Sequence, residues 1–145
     1  MNELFGIAGK VAIITGAGGV LGGNIAKHFM RQGAKVVAVD VRREQLDKRV
    51  SELEQYGSEI VGIVGDVLDV VSLEKLAGQI LSRWGRIDIL LNIAGGNMLG
   101  ATLEPEQNFY DMDIVCWEKV TGLNMNGTVY PSMVFGLSLI HISEP

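Results

Sequence analysis

Val11-Ala12-Ile13-Ile14-Thr15-Gly16-Ala17-Gly18-Gly19-Val20-Leu21-Gly22 decides how the rest of this chain is read. An apolar run ends in a glycine loop, and the loop opens directly into a helical pattern. Glycines allow a tight turn after a strand and let the backbone approach a pyrophosphate with no Cβ in the way. The following helix points its unpaired N–H groups and positive dipole end at the same place. Strand, glycine loop and helix in this order predict a dinucleotide phosphate site, with Gly16, Gly19, Val20, Leu21 and Gly22 lining it.

Outward from the loop, strands and helices alternate without a linker. Leu21, Ile25 and Phe29 recur at helical spacing and predict a core-facing stripe, with Gly33 as the stop. Lys35 to Asp40 predicts a second strand ending in a carboxylate. Asp40 lies about 20 residues past the loop, where an acidic side chain accepts hydrogen bonds from ribose hydroxyls and repels a 2′-phosphate. NAD is therefore expected in preference to NADP. Arg42 and Arg43 have two readings, a guanidinium partner for that phosphate or the exposed first turn of the next helix. Leu46, Val50 and Leu53 mark that helix, which should end near Gly57. Ile60 to Val64 is the third expected strand.

Asp69 is a candidate cap for the next helix, whose core positions are Leu73, Leu76, Ala77, Ile80, Leu81 and Trp84, with Gly85 as the stop. Ile87 to Leu91 is the fourth expected strand. Strands apolar throughout, alternating with helices, predict a parallel sheet covered on both faces. From Gly96 to Asp113 both periods vanish, leaving a long loop at a strand end, where ligands of open α/β sheets bind. Asn97, Met98 and Asn108 are candidate substrate-side residues there. Ile114, Trp117, Val120 and Leu123 predict a last helix that leads to Asn124.

Composition narrows the function classes. The 145 residues are 48% hydrophobic with net charge −5, enough to bury one core and without the basic stripe of a nucleic-acid binder. No apolar run approaches the roughly 18 residues that span a bilayer, so no membrane partner is expected. The N-terminus lacks the pattern of a secretory signal. Cys116 is the single cysteine, which points to a reducing cytoplasm and to a small packed hydrophobe. His28 reads as a surface or groove residue. No His/Cys/Asp/Glu group has metal-ligand spacing, so no metal site is expected.

Thr15-Gly16 through Gly22, Asp40, Asp66-Val67, Asn92-Ile93-Ala94-Gly95 and Asn124-Met125-Asn126-Gly127 together resemble the cofactor half of the short-chain dehydrogenase/reductase family. The likeness runs from about Lys10 to Gly136. It implies a Rossmann-type α/β fold, a doubly wound parallel sheet cut off after about four strands, and an NAD-dependent oxidoreductase as the parent protein. It also implies a small-molecule hydroxyl or carbonyl substrate and a homo-oligomeric parent. By the same resemblance Asp66 and Val67 would lie against the adenine, and Asn92 would brace the sheet beside the ribose. Ala94 and Gly95 would approach the cofactor. Asn124 would match the asparagine of the catalytic Asn-Ser-Tyr-Lys set. Asp66 as a strand-end turn residue and Asn124 as a helix-bending polar group are the alternatives. Ala94-Gly95-Gly96-Asn97, with the later Asn108 to Asp113, resembles members acting on sugar acids such as mannonate or fructuronate.

Three features depart from the family pattern. Val20 stands where the compact branch has its middle glycine, so Gly16, Gly19 and Gly22 match the spacing of the extended, epimerase-like branch. Ile93 replaces a second asparagine. No Tyr-x-x-x-Lys occurs: Tyr56, Tyr110 and Tyr130 are followed four residues on by Ile60, Ile114 and Val134. The proton donor of hydride transfer is therefore missing, and the chain by itself is expected to be inactive and marginally stable, with the fourth strand an open edge. A nucleotide-binding module without catalysis is the alternative from another class. Residues 137–145 are what CTG TCT CTT ATA CAC ATC TCC GAG CCC encodes, which resembles a transposase sequencing adapter. Residues 1–136 are thus expected to form a partial NAD-binding domain, followed by an artefactual tail.

Overall fold

A computed structural model describes residues 5–141, with side chains through residue 140. Four parallel strands form one sheet in the order β3-β2-β1-β4. They are β1 (Val11–Thr15), β2 (Lys35–Asp40), β3 (Ile60–Val64) and β4 (Ile89–Asn92). The helices are α1 (Val20–Arg31), α2 (Arg43–Leu53), α3 (Val70–Trp84) and α4 (Ile114–His141). This is the Rossmann-type arrangement expected from the sequence.

Alternation along the central strands assigns the layers, because successive side chains point to opposite faces of a sheet. Ile13, Val37 and Val39 pack with Leu73, Leu76 and Ile80 of α3 and Phe135 of α4. Their neighbours Ile14, Val36 and Ala38 pack with Ala26 and Met30 of α1 and Leu46 and Leu53 of α2. Every residue of β1 is buried, which is why this strand has no polar alternation.

Helix boundaries follow local chemistry. Asp69 caps α3 as expected, its carboxylate accepting the Ser72 N–H at 3.1 Å. Gly85 ends the same helix at φ 70°, and Gly57 turns the chain after α2 at φ 77°. Asp88 bonds to β1 on both sides of Val11 just before β4. Its carboxylate accepts the Val11 N–H at 2.8 Å and the Arg86 guanidinium, and its own N–H donates to Val11 O at 2.9 Å.

Several sequence expectations need correction. The stripe of α1 is rotated: Gly22, Gly23, Ala26 and Met30 are buried, Ile25 and Phe29 are half-buried, and Leu21 is 63% exposed. Three small residues, Gly22, Gly23 and Ala26, let α1 lie close to its neighbours, so the inward face belongs to them and to Met30 rather than to Leu21. Leu81 of α3 is exposed. Strand β4 begins two residues later than expected because Asp88 is held by β1 first. On α4, Ile114 and Trp117 are exposed, and the helix docks further along through Gly127, Pro131 and Phe135. Its start has only loop to pack against, including a short 3-10 turn at Leu99–Ala101.

Helix α4 continues through residues 137–141, with Leu139 packed against the core, where the sequence reading placed the start of the tail. Residues 142–145 of that tail lie outside the described residues. On its side away from β1, β4 pairs with no strand among the described residues.

Candidate nucleotide-binding site

The carboxyl ends of β1, β2, β3 and β4 surround a cleft of about 370 Å³. Gly16, Gly19, Val20, Leu21 and Gly22 form its floor, from the loop between β1 and α1. Gly16 has φ 66°, and a Cβ there would sit 2.9 Å from Ala94 Cα, so both conformation and space require glycine. A Cβ on Gly22 would collide with the Gly16 carbonyl oxygen, so the helix can start tight against the loop only without one.

Gly19 caps α1 with no side-chain hydrogen bond to the first turn. The N–H groups of that turn have no intrahelical acceptors and face the cleft with the positive end of the helix dipole. Val20 and Leu21, 77% and 63% exposed, stand over the same opening. Exposed apolar side chains at a helix start are costly in water, and a ligand covering them would remove that cost.

Asp40 closes the β2 side of the cleft. Its carboxylate, with 3% of the side chain exposed, accepts the Gly18 N–H at 3.0 Å and the Arg42 N–H at 3.0 Å. The Arg42 guanidinium donates to both oxygens, Nε at 3.0 Å and Nη2 at 3.2 Å. Burial pushes the Asp40 carboxyl up. The Arg42 hydrogen bonds and charge, with the Gly18 N–H, outweigh burial and hold it below its ordinary value. Asp40 is therefore an ionised acceptor at neutral pH. Of the two readings for Arg42 neither is complete: it precedes α2 as the cap residue, and its side chain turns back onto Asp40.

Asp66 and Val67 line the third side, after β3. Asp66 also accepts the Leu68 N–H at 2.8 Å, so it serves its turn while facing the cleft. Ala94 and Gly95 line the fourth side, together with Ile93. Thr15 lies behind them, fully buried. Its hydroxyl accepts the Ile93 and Ala94 N–H groups, each at 3.1 Å, and donates to Leu91 O at 3.4 Å. Thr15 thus shapes the site from beneath and does not line it.

Asn92 and Asn124 stand outside the cleft lining. Asn92 Nδ2 donates to Ser132 Oγ on α4 at 3.0 Å, while its buried Oδ1 has no partner among the described residues. Asn124 pairs with the Gly96 backbone, Oδ1 accepting the N–H at 2.9 Å and Nδ2 donating to the carbonyl at 3.0 Å. A Cβ on Gly95 would lie 2.8 Å from Asn124 Oδ1, so this glycine admits the asparagine. Of the substrate-side candidates, Asn97 bonds to Thr102 Oγ1, and Asn108 forms a capping box with Asp111.

Val39, Val41, Arg42, Gly65 and Leu123 also line the cleft. Gly65 was legible as a glycine beside a strand-end acid. Gly18 holds Asp40 through its N–H, and no sequence signal pairs those two positions. Among the described residues no His/Cys/Asp/Glu group could hold a metal ion, and no helix is long and apolar enough to cross a membrane.

The family model for short chain dehydrogenase matches residues 10–138. The chain belongs to the short-chain dehydrogenase/reductase family. It is 35% identical over 147 residues to the uncharacterized oxidoreductase UxuB of Bacillus subtilis, covering 96% of this chain and 53% of that protein. A solved structure of a candidate D-mannonate oxidoreductase from Haemophilus influenza with bound NAD is 32% identical, with a TM-score of 0.83. That match covers 92% of this chain and 51% of the other. A metagenomic short-chain oxidoreductase in complex with NADP shares the fold at 24% identity and a TM-score of 0.81, over 94% of this chain and 59% of the other. The chain spans about half the length of the curated relatives it matches.

Proposed function

We propose that this chain is the nucleotide-binding part of an NAD-dependent dehydrogenase/reductase acting on a small hydroxyl or carbonyl compound. The observation that carries the reading is the buried, ionised Asp40 at the rim of a cleft floored by a glycine loop and a helix start. The glycine loop along the cleft and the uncapped first turn of α1 suit a pyrophosphate. Asp40 suits the adenosine ribose hydroxyls, and its charge favours NAD over NADP. Bound there, NAD would supply the hydride-transfer chemistry.

The chain's own residues bind and orient. Thr15 fixes the Ile93-Ala94 backbone against the loop, and Asn124 fixes Gly96 at the start of the substrate-side loop. The 145 residues hold no Tyr-x-x-x-Lys, so the reading assigns them nucleotide binding without turnover. A sugar acid is the proposed substrate of the parent, supported by the loop from Gly96 to Asp113 and by the similarity to the candidate D-mannonate oxidoreductase.

Calorimetric titration of the purified chain with NADH tests this. Binding is expected, weakened by about tenfold in Asp40→Asn, the loss of one charged acceptor. A chain that takes up no NADH, or an Asp40→Asn variant that binds as tightly, would overturn the reading.

A further inference from the structure

The acceptor that the nucleotide reading needs is already in use. A carboxylate offers about four lone-pair sites, and Asp40 receives four donors: the Gly18 N–H, the Arg42 N–H, and Nε and Nη2 of the Arg42 side chain. The two backbone donors belong to the fold. The two guanidinium donors do not, since the Arg42 side chain is 53% exposed and makes no other hydrogen bond or ion pair among the described residues. Arg42 itself lines the cleft, with Nη2 3.9 Å from where a Cβ of Gly19 would stand. The guanidinium therefore lies across the acceptors that ribose hydroxyls would use.

We propose that Arg42 closes the adenosine-ribose subsite of the nucleotide-free chain, swings out when a nucleotide binds, and then sets how well a 2′-phosphate is tolerated. The inference rests on the nucleotide reading above and extends it to a competition within the site. For NAD, Arg42 is a competitor, because its bonds to Asp40 break before the ribose hydroxyls can replace them. For NADP the same motion brings a forked cation to the 2′ position, where it pairs with the phosphate and offsets the repulsion from Asp40. The chain is thus less selective than its acidic residue alone implies. An exposed arginine can make this exchange at small cost, since its freed donors pass into water.

Titration of the chain and of Arg42→Ala with NAD+ and NADP+, read as dissociation constants by calorimetry, tests the proposal. The variant is expected to bind NAD+ about three- to tenfold tighter and NADP+ about tenfold weaker, the scale of one charge-assisted hydrogen-bonded contact. Arg42→Lys keeps the positive charge without the fork, so it should tighten NAD+ while retaining most NADP+ binding; it also serves where the alanine variant fails to fold. Affinity for NAD+ that is unchanged or weakened in both variants overturns the role of Arg42 and leaves the nucleotide reading standing. A wild-type chain that binds neither nucleotide overturns both.

Discussion

The centre of the sheet and its β4 edge are built to different standards. At the centre, β1 and five of the six β2 residues are buried, between α1 and α2 on one face and α3 with the end of α4 on the other. At β4 all four residues are only half-buried, and α4 meets the strand through Asn92 and Ser132, with one asparagine oxygen left unpartnered. At the proposed nucleotide cleft the loop, Asp40 and the wall at Ala94 are held by bonds among the described residues. The end where Asn124 stands is half-supported.

The largest test of that contrast compares two residues paired in register, Ile13 of β1 and Leu90 of β4. Ile13 is fully buried, and Ile13→Ala should cost about 3–4 kcal/mol in denaturant unfolding. Leu90→Ala should cost about 1–2 kcal/mol, because water already reaches that side chain. Equal losses would mean that β4 is as firmly packed as the centre.

A smaller effect is expected where the central strand and the β4 edge are tied together through Asp88. Burial raises the Asp88 pKa. The hydrogen bonds of Arg86 and the Val11 N–H, with the charges of Arg86 and Lys10, outweigh that and hold it below its ordinary value. The stabilisation is then complete above the ordinary carboxylate range and is lost as pH falls through the folded value, where the folded form also takes up the proton. Asp88→Asn should cost about 1–2 kcal/mol at neutral pH. Unfolding curves of the two proteins should converge on acidification below pH of about 4. A gap that persists at low pH would assign the loss to packing and not to charge.

The smallest effect belongs to Asn124. Asn124→Ala removes two exposed hydrogen bonds to Gly96 and should cost about 1 kcal/mol. It should also speed amide exchange at Gly96, the residue whose N–H it accepts, more than at Ala17, whose N–H is held by Val39 O. Equal protection in variant and wild type would separate Asn124 from the order of the loop.

Much of the fold was legible because its signals are local. The run from Val11 to Gly22, the strand ending at Asp40 and the cap at Asp69 each depend on residues a few positions apart, and the structure carries all three. Less was legible where large and small side chains compete for one surface. Leu21 belongs to an apolar stripe on α1 by spacing, yet Gly22, Gly23, Ala26 and Met30 take the inward positions because the helix packs close. Ile114 and Trp117 share one side of α4 with Val120 and Leu123 yet stand exposed, since what α4 meets at its start is a loop.

Local sequence dictates the order of the elements, the parallel sheet and the positions of Gly16, Gly22 and Asp40, because periodicity and turn chemistry act over a few residues. Tertiary structure alone decided which groups those residues meet. Thr15 finds Ala94 across 79 positions, Gly18 finds Asp40 across 22, and Asn124 finds Gly96 across 28. The turn of the Arg42 side chain back onto Asp40 belongs with them despite the short separation, since it needs the buried carboxylate that the packed end of β2 provides. Such pairings arise when separate elements dock, and no spacing within one element encodes them.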